Sequence, residues 1–279
     1  GAIFNTAIAL GRLGIPTGML TGLSTDMFGV QLAAALTASH VDISRSVISN
    51  RPTTLAFVQL KDGQATYSFI DEGSAGRMLT PVDMPPLTAD VSALYLGGIS
   101  LACEPCADAY IALLKSEGST RPVMIDPNIR PAFINDISAY RSRLEEAMRL
   151  VDIVKVSDED LDWLVPGPPS LKDKVMALLE LGPAAVILTQ GAQGATGYLK
   201  SGAEVKVPAI RAKVVDTVGA GDTFNAGVLA QLFEAGKLSK AAISDISPDT
   251  LQSAIEFGAK VAAITVTRAG ANPPWANEI

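Results

Sequence analysis

The sequence has few of the residues on which several common enzyme mechanisms depend. Of its 279 residues, one is histidine and two are cysteine. A zinc site with several histidines, or a Ser-His-Asp triad, would rest on His40 alone, so both are excluded. His40 follows an amphipathic segment and is predicted to be an exposed residue at a helix end. Cys103 and Cys106 are too few for a disulfide framework, and ordinary packing is favoured over a redox role.

Positive charge and long apolar runs are also scarce. The chain carries 22 Lys and Arg against 29 Asp and Glu, a net charge of −7, which argues against binding to nucleic-acid phosphates. No apolar run approaches the length of a membrane span, and the N-terminus lacks the pattern of a signal peptide. We therefore expect a cytoplasmic protein. Because the chain begins at Gly1 and enters a helical pattern at once, we also expect a strand upstream of this sequence.

What the sequence does contain is an alternation of short apolar runs with amphipathic segments. The runs cover residues 93–97, 123–126, 153–156 and 185–189, and a helical pattern follows each of them. This order is typical of βα units on a parallel sheet. With 48% apolar residues the chain can bury a large core. We predict an α/β fold in a single domain over residues 1–279.

One stretch departs from this alternation. Residues 53–60 and 64–70 flank Asp62-Gly63, and the second run alternates apolar with polar residues. Such a pattern predicts an antiparallel hairpin. We therefore expect a small β lid over residues 44–80, which is a candidate cover for a ligand or a flap that joins two copies into a homodimer.

The strongest chemical signal is a glycine-rich turn that opens a helix. Gly219, Ala220 and Gly221 precede Asp222, and they follow a stretch rich in valine. Glycines allow a ligand to approach the backbone, and the free N–H groups at a helix start form an anion site. Asp222 is then either a reactive carboxylate or the cap of the helix, and the spacing alone leaves both open.

Other glycine motifs do not fit this turn. A dinucleotide-binding G-x-G-x-x-G needs a small residue where Phe224 stands, and no Gly-Lys-Ser or Gly-Lys-Thr of a Walker loop occurs in the chain. An anion site beside a carboxylate, without that lysine, indicates phosphoryl transfer in which the carboxylate accepts a hydroxyl proton.

The segment Asp216-Thr217-x-Gly219-Ala220-Gly221-Asp222-x-Phe224 resembles the second signature of the ribokinase-like (PfkB) carbohydrate kinases. The resemblance implies a three-layer α/β/α fold, with ATP and Mg²⁺ as cofactors and a small-molecule sugar as the partner. It makes Asp222 the general base and assigns the phosphoryl group to the N–H groups of Gly219, Ala220, Gly221 and Asp222.

Further segments that are similar to this family run through nearly the whole chain, among them 1–14, 126–130 and 189–195. The resemblance implies sugar contacts by Asn5, Asp71 and Arg130. It implies ATP contacts by Lys155, Ser157, Thr189, Gly191, Gly194 and Gly258. It implies an indirect Mg²⁺ contact by Asp160, where Ser157-x-x-Asp160 departs from the family's N-x-x-E, and a K⁺ site at Asp216 and Thr217.

Within the family, residues 51–57, 71–75 and 155–158 look most like fructokinases. Keto-deoxygluconate kinases tend to place a cation after the lid strand, whereas Asp71 and Glu72 stand here and would repel a sugar acid. A neutral sugar, fructose, is therefore the expected substrate. A keto-deoxygluconate kinase, a nucleoside kinase and a non-catalytic sugar-binding regulator remain as alternatives.

Overall fold

Strands and helices alternate in the central part of the chain, from β7 to β10. The structure is a computed structural model that describes residues 1–61, 64–167 and 170–279, with the side chains of residues 58–68 left out. The strands are β1 Thr17–Gly18, β2 Gly22–Ser24, β3 Val41–Asp42, β4 Val47–Ser49, β5 Leu55–Lys61, β6 Gln64–Ile70, β7 Leu94–Gly97, β8 Val123–Asp126, β9 Ile153–Ser157, β10 Ala185–Thr189, β11 Ala195–Leu199 and β12 Glu204–Val207. The helices are α1 Ala2–Arg12, α2 Met27–Ala38, α3 Cys106–Glu117, α4 Ile137–Met148, α5 Asp158–Leu164, α6 Leu171–Leu181, α7 Ala220–Glu234, α8 Lys240–Ser244 and α9 Pro248–Thr265.

The largest sheet has six strands in the order β12-β11-β10-β9-β8-β7. Strands β7 to β10 run parallel, and β11 and β12 add an antiparallel edge. The four predicted parallel strands are present, and two of them, β8 and β10, have the predicted bounds. The predicted α/β class is confirmed.

Both faces of the parallel strands are buried, so these strands consist mainly of apolar residues. Ile125 and Val154 belong to a core shared with α3, α4 and α6, whereas their neighbours Met124 and Ile153 belong to a core shared with α7 and α9. Successive side chains of a strand point to opposite faces, so each strand contributes to both cores. The result is a three-layer arrangement with helices on either side of the sheet.

Close contact between α7 and α9 fixes the helix that carries the glycine turn. A Cβ on Gly227 would lie 2.6 Å from Cα of Gly258, and a Cβ on Gly258 would lie 2.8 Å from the carbonyl oxygen of Phe224. Only glycine permits this approach of two backbones. Gly258, which the family resemblance assigned to ATP, is therefore buried where α7 and α9 cross.

The lid is a two-stranded antiparallel ribbon of β5 and β6, paired from Leu55 with Ile70 to Lys61 with Gln64. The predicted Asp62-Gly63 turn lies outside the described residues. The antiparallel pairing thus covers part of the predicted segment 44–80, because β4 pairs in parallel with β2 instead.

The carboxylate of Asp26 fixes the base of the lid to the start of α2. It accepts hydrogen bonds from the Thr53 N–H at 2.8 Å, from the Thr53 hydroxyl at 2.6 Å and from the Gly29 N–H at 2.7 Å. These bonds hold the pKa of Asp26 well below its usual range.

Within the described ranges, no helix combines the length and apolar character that crossing a bilayer requires.

Candidate active site

A cleft of about 1840 Å³ opens at the carboxyl ends of the parallel strands. The last residue of each strand from β7 to β10 lines it, as is usual for ligand sites of open α/β sheets. The lid, α1 and the glycine turn complete its walls. The predicted site residues on this cleft are Asn5, Asp71, Arg130, Lys155, Ser157, Asp160, Thr189, Asp216, Thr217, Gly219, Ala220, Gly221 and Asp222.

The glycine turn leads directly into α7. Gly219 has a φ of 79°, a left-handed conformation that favours glycine, and α7 begins at the next residue. Among the described residues, the N–H groups of Gly219, Gly221 and Asp222 have no hydrogen-bond acceptor. The Ala220 N–H, which was expected to face a phosphoryl group, instead donates to the carbonyl of Thr217 at 3.2 Å. Three free donors therefore point from the turn.

The start of α7 is uncapped, in contrast to most helices of the described chain. A side chain caps six of them, α2, α4, α5, α6, α8 and α9. No side chain caps α7, so the interpretation of Asp222 as a helix cap is wrong. The positive end of a long helix with free N–H groups faces the cleft, which is the arrangement that binds anions.

Asp222 is buried beside this turn. Its carboxylate Oδ2 accepts a hydrogen bond of 2.8 Å from the side-chain amide of Asn5, and the Thr6 hydroxyl donates to its backbone carbonyl at 3.0 Å. Burial raises the pKa of Asp222, and the amide of Asn5 opposes that rise. A carboxylate with a raised pKa and one fixed hydrogen bond is suited to accept a proton.

Asp216 fixes the far side of the turn. Its two carboxylate oxygens accept hydrogen bonds from the N–H groups of Val218 at 3.0 Å and Gly270 at 2.8 Å. These backbone donors lower the pKa of Asp216. The carboxylate thereby joins the turn to the segment after α9.

A buried ion pair lies below the turn, and of its two members only Lys155 was predicted from the family resemblance to be a site residue. The Lys155 ammonium lies 3.0 Å from Oδ2 of Asp126, and both side chains are under one tenth exposed. The side-chain amide of Asn225 donates to the same oxygen at 2.7 Å and to the Tyr95 hydroxyl at 2.8 Å. The sequence did hold a signal for Asp126, because adjacent buried strands each carry a single charged residue, of opposite sign.

Asp160 and Ser157 lie where α5 starts after β9. The Ser157 hydroxyl accepts a hydrogen bond from the Asp160 N–H at 3.0 Å and thus caps α5. Oδ1 of Asp160 accepts a hydrogen bond from the Ile129 N–H at 3.0 Å. Burial raises the pKa of Asp160, and the nearby Asp126 adds to the rise. The second carboxylate of the cleft is therefore fixed beside Asp126.

Other predicted residues lie farther from this centre. The Arg130 side chain is exposed and donates to the carbonyl of Ile129 at 2.9 Å, and the Thr189 hydroxyl donates to that of Val156 at 3.3 Å. Gly191 and Gly194 form a short turn between β10 and β11, next to the cleft rather than in its wall. Their assignment to ATP stays a prediction.

At the lid end of the cleft, Asp71 is buried while its neighbour Glu72 is exposed. Oδ1 of Asp71 accepts hydrogen bonds from the hydroxyls of Thr54 at 2.6 Å and Ser74 at 3.1 Å. Oδ2 lies 3.7 Å from the guanidinium of Arg77 and, among the described residues, accepts no hydrogen bond. One acceptor atom is thus held at the base of the lid.

The two cysteines lie beside the cleft as buried free thiols. Burial raises the pKa of Cys103 and that of Cys106 to about 12 each. A reactive thiol needs a lowered pKa, so the environment opposes a redox role.

His40 is exposed, as predicted, and its ring packs edge-on against Trp275 at 5.6 Å.

The geometry joins an anion-binding turn, a buried carboxylate able to accept a proton, and a lid, which are the parts that phosphoryl transfer to a hydroxyl requires. The family model described as pfkB family carbohydrate kinase matches residues 1–278. The chain belongs to this family. It is accordingly an ATP-dependent sugar kinase, and the predicted family, fold and enzyme class are confirmed.

Three relatives place it further. It is 50% identical over 254 residues to a fructokinase of Rhizobium leguminosarum bv. trifolii, covering 91% of this chain and 77% of that protein. A fructokinase of Xylella fastidiosa with bound ATP superposes with a TM-score of 0.88 at 27% identity, over 97% of this chain and 85% of that one. An aminoimidazole riboside kinase of Salmonella enterica, complexed with aminoimidazole riboside and an ATP analogue, gives a TM-score of 0.83 at 26% identity, over 97% and 86% of the two chains.

Proposed function

We propose that this kinase transfers the γ-phosphoryl group of ATP to a hydroxyl of fructose. The observation that carries the proposal is the position of Asp222, a buried carboxylate beside three free N–H groups at an uncapped helix start. The 50% identity to a fructokinase supports fructose over a nucleoside, because the riboside kinase is only 26% identical.

In the proposed step, Asp222 accepts the proton of the sugar hydroxyl while the hydroxyl oxygen forms a bond to the γ-phosphorus. The bond between that phosphorus and the oxygen bridging to the β-phosphate breaks, and its electron pair leaves with ADP. The N–H groups of Gly219, Gly221 and Asp222 would stabilise the negative charge of the group in transfer. Asn5 would orient the base, in addition to its expected sugar contact.

A divalent cation, Mg²⁺, would neutralise charge on the ATP phosphates when bound. The described residues hold no cluster of three or more His, Cys, Asp or Glu side chains fit for a metal. A site for Mg²⁺ does not need such a cluster, because Mg²⁺ in kinases is usually bound by one or two carboxylates together with substrate phosphates and water. Asp160, which lines the cleft, is the carboxylate that would face it through water.

On the nucleotide side, we place ATP along the ends of β9 and β10. Thr189, Gly191 and Gly194 would provide the turn beside it, and Gly194 has a φ of 98° that favours glycine. A K⁺ ion would bind at Asp216 and Thr217 through lone pairs not already used by the Val218 and Gly270 N–H groups. Comparing turnover in K⁺ with turnover in a large organic cation tests that site.

At the sugar end, the carboxylate of Asp71, which lines the cleft, would accept a hydrogen bond from a neutral hydroxyl and repel a sugar acid. Arg130, exposed at the cleft, would contact the sugar from the opposite wall. Because the guanidinium of Arg77 lies 3.7 Å away and reduces the repulsion, we expect a preference of about tenfold in kcat/KM rather than an absolute one.

The test is an ATP-consumption assay with fructose, 2-keto-3-deoxygluconate and adenosine, with the Asp222→Asn variant as the blank. Highest kcat/KM for fructose is expected. A higher kcat/KM for the sugar acid or for adenosine would mean that this compound, and not fructose, is the substrate. Binding of a sugar without ATP consumption would indicate a non-catalytic regulator.

We also propose that two copies pair through the lid. Phe57 and Ile70 on the lid, and Ile48 on β4, are each more than half exposed. Exposed large apolar residues on one segment are typical of an interface. Light scattering should give twice the mass of 29.0 kDa, and Phe57→Glu should return it to the single-chain value. A single-chain mass for the unaltered protein would refute the dimer.

A further inference from the structure

The first turn of α7 lacks a support that other helices have. A side chain caps six helices of the described chain, whereas no side chain caps α7 and three N–H groups at its start have no acceptor among the described residues. A cap stabilises a helix start because it satisfies N–H groups that the helix itself leaves without acceptors. A turn that keeps those donors free for an anion therefore has to be held by contacts from outside the helix.

Two adjacent residues of α1 supply such contacts, and both reach Asp222. The side-chain amide of Asn5 donates to its carboxylate at 2.8 Å, and the hydroxyl of Thr6 donates to its backbone carbonyl at 3.0 Å. The same hydroxyl lies 3.2 Å from the carbonyl of Ala2 in its own helix, so the bond to α7 is the shorter of the two. Asn5 thus holds the reacting group of Asp222, and Thr6 holds the main chain that carries it.

The Thr6 hydroxyl belongs to a chain of hydrogen bonds that starts and ends on α7. Asn225, one helical turn after Asp222, donates its side-chain amide to the Tyr95 hydroxyl at 2.8 Å. The Tyr95 hydroxyl is in turn hydrogen-bonded to that of Thr6. Burial raises the pKa of Tyr95 well above its ordinary value, so the phenol keeps its proton and donates it to Thr6. The chain thus runs through two hydroxyls, from the amide of Asn225 to the carbonyl of Asp222.

The surroundings of this chain are what make its polar groups informative. Thr6 and Asn225 are both fully buried. A buried polar group is costly when it is unpaired, whereas successive hydrogen bonds in a low-dielectric interior strengthen one another. Valine has nearly the shape of threonine, and phenylalanine that of tyrosine, so packing alone needs neither hydroxyl. What the two hydroxyls add is a tie from α1 and β7 to the turn of α7 that carries Asp222.

We propose that Thr6 and Tyr95 are positioning residues, whose hydroxyls hold the first turn of α7 in place of a helix cap and thereby fix the carboxylate of Asp222. The proposal rests on the proposed function, in which Asp222 is the base. In this arrangement the N–H donors of the turn stay available to a phosphate group while the turn keeps its position.

Steady-state turnover of isosteric variants tests this role. Thr6→Val should lower kcat by about tenfold and leave KM for sugar and ATP within about threefold, because the base is displaced while the walls of the cleft remain. Thr6→Ser keeps the hydroxyl and should recover most of that loss. An unchanged kcat in Thr6→Val, or a loss that serine does not recover, would overturn the proposal. The assay uses whichever sugar gives the highest kcat/KM, so its result does not depend on fructose.

The pH profile of kcat supplies a readout that a loss of stability alone would not move. The Asn5 amide lowers the pKa of Asp222, so a loosened turn should weaken that bond and raise the pKa. The acid limb of Thr6→Val should therefore lie about half a pH unit or more above that of the unaltered protein. The charges of Asp126 and Lys155, which also act on this pKa, are the same in both proteins. An acid limb that stays in place would contradict the positioning role.

A double-variant cycle tests whether the two hydroxyls act as one chain. Tyr95→Phe should lower kcat by about fivefold in the unaltered protein and by less than about twofold in the Thr6→Val background. Equal losses in the two backgrounds would mean that the hydroxyls act separately and would overturn the chain. If Thr6→Val does not fold because the Tyr95 hydroxyl is left without an acceptor, the double variant removes both hydroxyls. Turnover and the pH profile are then measured on that variant, with the same expected and contradicting results.

Thr265→Val is the matched control. Thr265 is also fully buried, but its hydroxyl donates to the carbonyl of Val261 at 3.0 Å, within α9. Its loss should lower Tm about as much as Thr6→Val does and leave kcat and the acid limb unchanged. Comparable kcat losses in the two variants would show that turnover follows stability and would overturn the proposal. A failure of the base itself is distinguishable, because Asp222→Asn would then retain the acid limb whatever Thr6→Val does.

Discussion

Asp216 and Asp222 stand on the two sides of one glycine turn, and their surroundings are opposite. Asp216 accepts hydrogen bonds from two backbone N–H groups, which lower its pKa. Burial raises the pKa of Asp222, whose carboxylate accepts one hydrogen bond within the described residues, from the Asn5 amide. A carboxylate that already accepts several hydrogen bonds is a poor base, and it holds the backbone segments that donate to it in place. One that is buried with few donors holds a proton more strongly, so the role of each aspartate follows from the number of its donors.

The largest expected effect comes from removing the base. Asp222→Asn keeps the shape of the side chain and the hydrogen bond from Asn5, but it cannot accept a proton. We expect kcat to fall by at least about 10²-fold, with KM for sugar and ATP within a few-fold, because general-base catalysis acts on the transition state. Steady-state kinetics of both variants measures the difference: the kcat of Asp216→Asn should stay within about tenfold of the unaltered protein. Similar losses in the two variants would remove the distinction.

The turn between the two aspartates gives the next effect. Gly221→Val places a branched side chain beside the anion site, where even a Cβ would be 3.3 Å from the Lys155 ammonium. The helix accepts the change because Gly221 lies in the first turn of α7 with ordinary backbone geometry. We expect kcat to fall by at least about tenfold and Tm to change little, with Gly221→Ala between valine and the unaltered protein. Full turnover in a folded valine variant would show that phosphate does not approach this backbone.

Stability should respond to the two aspartates with opposite signs. The raised pKa of Asp222 means that its ionisation opposes folding, a cost fully present above the folded-state pKa and absent below the unfolded value near 3.9. The lowered pKa of Asp216 favours folding above that unfolded value, and this contribution is lost as pH falls through the folded-state pKa. At pH 8, Asp222→Asn should raise Tm and Asp216→Asn should lower it. Thermal unfolding of both variants checks the signs, and a shift in the same direction would count against the account.

The smallest effect concerns the buried thiols beside the cleft, where burial again raises the pKa. Cys103 and Cys106 both have a pKa of about 12. At pH 8, iodoacetamide should alkylate the folded protein at least about tenfold more slowly than the urea-unfolded protein, because only the thiolate reacts. Cys106→Ala should leave kcat within about twofold. Rapid alkylation with loss of activity would restore a functional role for the Cys-x-x-Cys segment.

Local patterns sufficed for much of this architecture. The apolar runs predicted β8 and β10 with their bounds, and the glycine turn predicted the start of α7, since both depend on neighbours in the chain. The contact of Asn5 with Asp222 and that of Asn225 with Asp126 join residues far apart in sequence, and no short-range pattern encodes them. The motifs therefore identified Asn5 and Asp222, which line the cleft, but not the hydrogen bond that joins them.

Some motif positions turned out to have structural tasks. Gly258 belongs to the crossing of α7 and α9, and Ser157 caps α5. The strand β4 pairs with β2 rather than with the lid, because parallel pairing is decided by the fold and not by the hairpin pattern. Motif letters identify a backbone position, and packing decides whether a side chain there faces a ligand.

The most direct test of the account is the pH dependence of phosphoryl transfer in a rapid-quench experiment with saturating ATP and fructose. Below neutral pH, the transfer rate of the unaltered kinase should fall tenfold per pH unit once Asp222 is protonated, with an apparent pKa above the value of a free aspartate, near 3.9. In Asp222→Asn the slow residual rate should show no such fall. The same acid limb in both proteins would mean that another group accepts the proton, and it would contradict the assignment of Asp222 as the base.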